Sequence, residues 1–445
     1  MKLFDKINQA TVDYAHEPVP NDKRRGFLSL WSVWFVTLVN IAFFFFGFEV
    51  ANKASFFDAF IALILAQIIL GALGGLTAAG AAQSGLNAAS LVNQSYGVIA
   101  GKIIAAIIGL SLLGWFGFQL EVFANYLADV LGLGQDLIRG VIILCGLFML
   151  TSAVIGFRAV AWLSQLAAPL LIILLFSPIA MYIWQGGNLS DLTSERYITA
   201  EKQPFGTLLG MFLGGAASLL IVAADIMRYG RNAKQAFAVT FSAQLVFSTL
   251  IFSFAFLIGR IYAGTDFMQI IGLIAPGVLG FVLLYLATWT TNDTNIYISS
   301  LAFSGIFKSL RKWVIAILCG LIGIGVAVSG LVVTHFMTWL VLLGVFFGPA
   351  AAPLQIEICR ALLRGQRAAK SDYISSDGFE QSAASIAFIC GLGVSLLTLE
   401  PANMGFGLLT LSTVPMVDGW LTASIIYILL LQSRQGFSKR LRDTS

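Results

Sequence analysis

Residues 287–300 read ATWTTNDTNIYISS, and apolar sequence lies on both sides of them. Upstream is PGVLGFVLLYL (276–286) and downstream is LAFSGIF (301–307). The flanks are those of a membrane-spanning helix, yet every residue from Thr290 to Asn295 is polar. Hydrocarbon penalises each unpaired polar group, so this series predicts partners inside the protein and is typical of a substrate or ion route.

The composition of the whole chain indicates the same environment. Of the 445 residues, 58% are hydrophobic and 11% are charged, and the mean hydropathy is +0.88. A soluble protein carries roughly 25% charged residues. Apolar runs of about 20 residues, each long enough to span a bilayer, recur along nearly the whole chain. We therefore expect an all-α polytopic membrane protein without a cleaved signal peptide, because the start of the chain has no apolar core.

Hydropathy predicts twelve transmembrane helices. They cover about 27–51, 57–82, 98–127, 138–157, 160–184, 204–227, 235–262, 270–303, 311–334, 338–360, 383–400 and 409–433. With a cytoplasmic N-terminus, roughly 21 of the 26 Lys and Arg residues fall on the cytoplasmic side, as the positive-inside rule requires. Twelve spans then place the C-terminus in the cytoplasm as well.

The residue types on which most enzymes depend are scarce. The four cysteines lie in or beside apolar segments without metal-ligand spacing, which favours reduced packing residues. The two histidines are far apart, and no Ser–His–Asp grouping occurs. The basic residues behind the net charge of +4 lie in loops, which gives no sign of nucleic acid binding. We expect neither an enzyme nor a bound cofactor.

Two predicted spans carry features of interrupted helices. The first has Asn40 at mid-depth, and the sixth has Gly214 and Gly215 followed by Ala216, Ala217 and Ser218. Glycine lowers helix propensity. Transporters built from inverted repeats unwind a matching pair of helices near the midplane, where freed backbone groups bind ions and substrate. Close packing of neighbouring helices is the alternative explanation of the paired glycines.

The third span contains an aromatic ring and an amide that suit a flat ligand. Trp115 and Gln119 are four residues apart and share one helix face. An indole stacks on a heterocycle, and a primary amide hydrogen-bonds its edge. The alternative is a packing Trp beside a Gln that joins helices. Glu121 in this span and Asp293 in the eighth are possible proton carriers, although a structural ion pair with a cytoplasmic-side arginine is the favoured role of Asp293.

The eighth span contains oxygen atoms suited to a cation. Thr290 and Thr291 offer hydroxyls beside the carbonyl of Ala287. Hydroxyl and carbonyl oxygens are hard ligands of the kind that Na⁺ accepts. The alternative is that both hydroxyls bond back to the preceding turn, as is common in membrane helices.

Four segments of the chain resemble one transporter family. They are WTTND (289–293), ADIMRYGRNAK (224–234), GWFG (114–117), and the opening RRGFLSL with FFDAF (24–30 and 56–60). These segments resemble the cytosine permease branch of the nucleobase–cation symport-1 family, and the likeness runs along most of the chain. The resemblance implies a five-plus-five inverted repeat with two extra C-terminal helices, discontinuous helices one and six, and alternating access to a midplane site.

On that pattern the chain divides into five parts. They are a cytoplasmic N-terminal tail (1–26), a first repeat (27–184), a second repeat (204–360), helices eleven and twelve (383–433) and a cytoplasmic C-terminal tail (434–445). The resemblance also implies a Na⁺ site between the first and eighth spans. Its ligands would be the backbone carbonyls of Val36, Val39 and Ala287 and the hydroxyls of Thr290 and Thr291.

The resemblance implies a substrate site on the same helices. Trp115 would stack on the substrate and Gln119 would contact its edge. Asn40 falls where the hydantoin branch of the family has a glutamine, Ser218 matches a serine of cytosine permeases, and Asn292 follows the ion-binding threonines.

The chain departs from cytosine permeases at three positions of the site, and one of them is Ala287, where the cytosine branch has an asparagine. Leu112 replaces a glutamine, and Ala216 replaces the aromatic residue that closes the second face of the substrate. One of Phe43 to Phe46, or Tyr285, is expected to supply the missing ring. These departures leave room for a purine, a modified pyrimidine or a hydantoin-like ring.

We therefore expect a bacterial inner-membrane protein, most simply a monomer, that imports a nucleobase or related planar heterocycle with Na⁺ as coupling ion. Its partners would be the substrate, Na⁺ and the lipid bilayer. One alternative is a proton-coupled importer of a purine, a hydantoin or a vitamin-precursor pyrimidine, using Glu121 or Asp293. Another is a ligand sensor that kept a transporter fold without turnover.

Overall fold

The computed structural model describes residues 14, 17–38, 40–153, 173, 176–265, 269, 277–365, 373–374 and 376–443. The long elements in these ranges are helices. They are α1 (Phe27–Leu38), α2 (Ile41–Val50), α3 (Phe56–Ser84), α4 (Ala88–Val130), α5 (Gln135–Ala153), α6 (Phe205–Gly215), α7 (Leu219–Met227), α8 (Ala233–Ile261, with a π-helical turn at Gln244–Ser248), α9 (Gly277–Ser304), α10 (Lys312–Ser329), α11 (Phe336–Leu363), α12 (Gly378–Thr398) and α13 (Pro415–Asp443).

The expected all-α polytopic membrane protein is confirmed. Among the described residues, eight helical segments are long and apolar enough to cross a membrane, and Phe205–Met227 counts as one of them although α6 and α7 are separate helices. The helix Ile41–Val50 is a shorter apolar segment. The predicted fifth span, 160–184, lies mostly outside the described residues, and 176–184 is helical.

The first predicted span is two helices in the structure, because α1 ends at Leu38 and α2 begins at Ile41. Asn40 caps the start of α2, because its Oδ1 accepts hydrogen bonds from the N–H groups of Ala42 and Phe43 at 3.0 and 3.1 Å. Its Nδ2 donates to the carbonyl of Thr37, in the last turn of α1, at 2.8 Å. The side chain thus satisfies backbone groups that the interruption would leave unpaired inside the membrane.

The sixth predicted span is also two helices. α6 ends at Gly215, α7 begins at Leu219, and turns connect them. Gly214 lies against the carbonyl of Leu340 in α11, where a Cβ atom would overlap the oxygen. The paired glycines therefore combine both explanations of the sequence, since they lie at a helix break and also permit close approach of a neighbouring helix.

Several predicted boundaries were wrong by a few residues, and where the preceding residues are also described, the helix starts of α4 and α13 differ most. α4 begins at Ala88 rather than 98 because Asn87 caps it, accepting from the N–H of Ser90 at 2.8 Å, and the helix kinks at Gly97, where φ is 75°. α13 begins at Pro415 rather than 409. The N–H of Ser412 donates to Oδ1 of Asp418 at 3.1 Å, which holds a bend before the helix.

α13 also continues further than expected. Its backbone is helical as far as Asp443, through most of the stretch 434–445 that was predicted as a tail.

Residues 17–25, here called the N-terminal strap, cross one end of the helix bundle. The N–H of Val19 donates to the carbonyl of Gly85, after α3, at 3.0 Å. The N–H of Arg25 donates to the carbonyl of Tyr229, after α7, at 2.7 Å. The guanidinium of Arg24 donates to the carbonyl of Gly230 at 2.7 Å and to that of Ala82. The strap therefore joins the ends of α3 and α7.

The breaks in the first and sixth spans lie beside the long helices α4 and α9. α9 lies against α4 and also contacts α1 and α2, while α7 contacts α3 and α4. α11, α12 and α13 pack on one another, and α11 also contacts α4, α6 and α7. The interrupted pairs α1–α2 and α6–α7 consequently meet α4 and α9 around one central region.

Candidate functional site

A cavity lies where the two helix breaks meet α4 and α9. Its lining residues are Thr37, Leu38, Asn40 and Phe43 from the first break, Leu112, Trp115 and Gln119 from α4, Gly215, Ala216, Ser218, Leu219, Val222 and Ile226 from the second break, and Thr291, Thr294, Asn295 and Ile298 from α9. None of these described residues carries a formal charge. A charged substrate would pay a high desolvation cost here, so the lining favours a neutral polar substrate.

Trp115 and Gln119 line the cavity from one face of α4, as their spacing predicted. The indole is 7% exposed and is held by other rings. Trp339 lies edge-on to it with 4.6 Å between ring centroids, and Phe336 does so at 6.2 Å. Gly114 permits this contact, since a Cβ atom there would be 2.7 Å from the Trp339 ring. The indole is therefore a fixed aromatic surface.

Phe43 is the second ring in the lining. It follows the first break, and its centroid is 5.7 Å from that of Trp115 at an interplanar angle of 79°. Ala216 lies on the lining and contributes only a methyl group. Tyr285 contacts Trp289 and Phe123 instead, at 5.1 and 5.4 Å. Of the proposed replacements for the missing sixth-span ring, Phe43 is the one that lines the cavity.

Two polar side chains of the lining, Gln119 and Ser218, can form further hydrogen bonds. Oε1 of Gln119 is buried and accepts no hydrogen bond from the described residues. The Ser218 hydroxyl, at the start of α7, likewise has no hydrogen-bond partner within the described part of the chain. A buried amide oxygen without a donor is costly, which favours a ligand or water that donates to it.

Asn40 has a different arrangement. It lines the cavity, but its Oδ1 is occupied by two backbone N–H groups and its Nδ2 by a carbonyl. In this structure Asn40 mainly caps the helix break. One N–H of its side-chain amide remains available for a ligand.

Thr291, Thr294, Asn295 and Ile298 form the α9 side of the cavity, at the spacing of one helix face. Asn292 is absent from this described lining. Its Nδ2 is directed at the carbonyl of Phe116 and the sulfur of Met149, at 3.5 and 3.6 Å. Asn295 was missed as a site residue. Its i, i+4 spacing from Thr291 was the signal that could have found it.

Of the residues predicted to hold Na⁺, Thr291 lines this cavity and Thr290 precedes it on α9. Thr290 and Thr291 are buried, at 0% and 3% exposure, and Ala287 belongs to the helical backbone of α9. Val36 lies in α1, which contacts α9, and Val39 lies outside the described residues. The two helices expected to share the ion are therefore neighbours.

The two carboxylates of the third and eighth spans are in different surroundings. Asp293 is fully buried in α9. Glu121 lies in α4 away from the described cavity lining, and its Oε1 is 3.4 Å from where a Cβ of Gly330 would be. Its Oε2 is buried and has no hydrogen-bond partner among the described residues.

Sequence comparison relates the chain to known permeases. A family model described as "Permease for cytosine/purines, uracil, thiamine, allantoin" matches residues 18–418. The cytosine permease of Escherichia coli strain K12 is 28% identical over 341 residues, which are 76% of this chain and 78% of that protein. The hydantoin permease of Microbacterium maritypicum is 23% identical over 289 residues, 60% of this chain and 59% of that protein.

Structure comparison shows a shared fold. Mhp1, a nucleobase–cation–symport-1 family transporter solved in a closed conformation with bromovinylhydantoin bound, matches with a TM-score of 0.78 at 20% identity, covering 94% of both chains. A Na⁺-coupled sialic acid symporter in a substrate-bound outward-open state matches with a TM-score of 0.63 at 14% identity, covering 97% of this chain and 96% of that one.

Proposed function

Because the chain belongs to the family of permeases for cytosine/purines, uracil, thiamine and allantoin, we propose that it is a Na⁺-coupled symporter for a neutral, planar nitrogenous heterocycle. Family membership makes it a secondary transporter rather than an enzyme. We infer the substrate class from the uncharged cavity, which Trp115, Phe43 and the amide of Gln119 line together. The relatives, a cytosine permease and a hydantoin permease, are named for substrates of the same class.

The coupling ion in this proposal is Na⁺, held between α1 and α9. Support comes from the buried hydroxyls of Thr290 and Thr291 and from the contact between these helices. The carbonyls of Val36, Val39 and Ala287 would complete an all-oxygen set suited to a hard cation. Since Thr291 also lines the cavity, a bound cation there would stabilise a substrate-filled site directly.

Transport in this proposal follows alternating access about the two broken helices. The proposal places the protein in the bacterial inner membrane as a monomer with both termini in the cytoplasm. Its helices would form a five-plus-five repeat with two extra helices. The support for the location is that the matched relatives are bacterial-type permeases.

Uptake into proteoliposomes tests the proposal. Purified protein should accumulate radiolabelled cytosine, uracil, hypoxanthine or hydantoin under an inward Na⁺ gradient. Thr290→Ala combined with Thr291→Ala should abolish the Na⁺ dependence, while Thr288→Ala, a buried threonine of the same helix, serves as matched control. Uptake that is indifferent to Na⁺ would remove the ion assignment. Binding without uptake or counterflow would instead indicate a sensor.

Proton coupling is the second candidate, and the unpartnered Oε2 of Glu121 favours it. A protonated carboxyl group tolerates such an environment far better than a carboxylate. In this version a pH gradient alone drives uptake, and Glu121→Gln or Asp293→Asn abolishes that response. Glu121→Gln proteoliposomes that retain full uptake under a pH gradient without Na⁺ would exclude Glu121 as the carrier.

A further inference from the structure

Several polar side chains of the cavity already form hydrogen bonds within the protein. The hydroxyls of Thr37 and Thr294 each donate to the carbonyl four residues earlier, at 2.9 and 3.1 Å. Asn40 is engaged by the helix break, as described above. These three side chains line the cavity but have little capacity left for a ligand.

Asn295 has unused capacity. Its Nδ2 donates to Oδ1 of Asn292 at 3.3 Å, one turn earlier on α9. Its Oδ1 accepts no hydrogen bond from the described residues, although the side chain is only 6% exposed. Asn292, behind it, is directed at the backbone of Phe116 in α4. Asn292 therefore orients Asn295, and the oxygen of Asn295 remains available at the cavity.

We propose that Asn295 contacts the substrate and determines its selectivity, with Asn292 as the residue that positions it. This inference rests on the proposed function and specifies how the ring is recognised. Gln119 and Asn295 bring two primary amides to one cavity from two different helices, α4 and α9. Their unfilled oxygens both accept hydrogen bonds, so the ring recognised here carries N–H donors on two of its edges.

This arrangement has a consequence for selectivity. A site that hydrogen-bonds a ring N–H rejects an analogue that lacks it, because the buried acceptor is then left unpaired. Cytosine and uracil have the same ring size and differ in donors at one edge, so the ratio of their affinities reports which edge a side chain contacts. Loss of the Asn295 oxygen should change that ratio, whereas a purely structural defect would weaken both ligands equally.

The experiment uses the full chain in detergent and measures affinity by titrated thermal shift, with cytosine, uracil, hypoxanthine and hydantoin as probes and NaCl present. Asn295→Ala should weaken the best probe by about tenfold or more and change the cytosine-to-uracil affinity ratio by a similar factor. Ser300→Ala is the matched control, because Ser300 is buried on the same helix and its hydroxyl bonds back to the Tyr297 carbonyl. It should leave every affinity unchanged.

The outcomes separate this inference from the function on which it rests. If no probe stabilises the wild-type protein, the proposed function and this inference are both overturned. If a probe stabilises wild type and Asn295→Ala binds all four with unchanged affinities and an unchanged ratio, only the role of Asn295 is overturned. The unfolding midpoint without a probe checks folding, and Asn295→Ser replaces the alanine variant if that midpoint collapses.

Discussion

The ring of Phe43 meets the indole of Trp115 nearly at right angles, with 5.7 Å between centroids. Phe43 lies just after the break in the first span, whereas Trp115 lies in the middle of α4. Edge-to-face contacts of this kind fix ring orientation. A movement of the half-helix α2 therefore changes the position of a ring that touches the stacking surface, which couples the helix break to the cavity.

Trp115→Ala should weaken binding of the base that stabilises the wild-type protein by about tenfold or more, because stacking on an aromatic side chain contributes roughly 1–3 kcal/mol per base. Trp115→Phe should recover part of the affinity. Isothermal titration in detergent measures both. Trp184→Ala is the control, since Trp184 is 91% exposed. Normal affinity in Trp115→Ala would show that this face of α4 does not contact the ligand.

Asn40→Ala should lower the free energy of unfolding by about 1–2 kcal/mol, because the N–H groups of Ala42 and Phe43 lose their acceptor inside the membrane. Asn40→Ser should recover much of the loss, since serine also caps helices. Denaturant unfolding in mixed micelles measures the difference. Equal losses in both variants would contradict the capping role and would leave ligand contact as the main role of Asn40.

Gly97→Ala should destabilise the protein by about 1–2 kcal/mol, because L-residues disfavour a φ of 75°. The new Cβ would also approach Oε1 of Gln381 to 2.7 Å. Gly140→Ala, in α5, is the matched control, since nothing lies within 4 Å of its Cβ position. That change should be neutral or slightly stabilising. Equal thermal midpoints for the two variants would show that the kink at Gly97 is not required.

Asp377 should give α12 a pH-dependent contribution to stability. Backbone N–H donation from Glu380, then Arg434 and the N–H of Phe379, lower the pKa of Asp377 below its usual value. The contribution is therefore complete above the unfolded pKa of about 3.9 and is lost as pH falls through the lower folded pKa.

The measurement is the difference in thermal midpoint between wild type and Asp377→Ala across pH. The side chain is 49% exposed, so the full effect should be no more than about 1 kcal/mol. The difference should be constant from about pH 5 to 7 and should shrink below about pH 4. A difference that grew on acidification would contradict the assigned sign.

The helix breaks were predictable from sequence because each depends on local chemistry. Asn40 is an amide in the middle of an apolar span, and Gly214 with Gly215 lowers helix propensity over consecutive positions. The α9 site residues were harder to assign. The polar run from Thr290 to Asn295 points in every direction around the helix at about 100° per residue, so composition alone does not identify the face that meets the cavity.

The sequence alone also did not identify Phe43 as the second ring of the cavity, because it does not show which face of α2 meets the cavity. Four consecutive phenylalanines follow the first break, and Phe43 lines the cavity only because α2 starts at Ile41 with a particular rotation. The contacts of Arg24 could not be predicted from the sequence, for a different reason. Its acceptors are backbone carbonyls, which every residue has, so no side-chain pattern marks them.

The N-terminal strap also sets an order of events during synthesis. Arg24 leaves the ribosome early, but its acceptor Gly230 lies 206 residues later in the chain. At roughly 5–20 residues per second, translation needs about 10 to 40 s to supply that acceptor. Over that interval the strap can contact only its earlier acceptors, the carbonyls of Ala82 and Gly85 at the end of α3. The strap can therefore complete its contacts only after α7 has been made, although it precedes every helix of the bundle in the sequence.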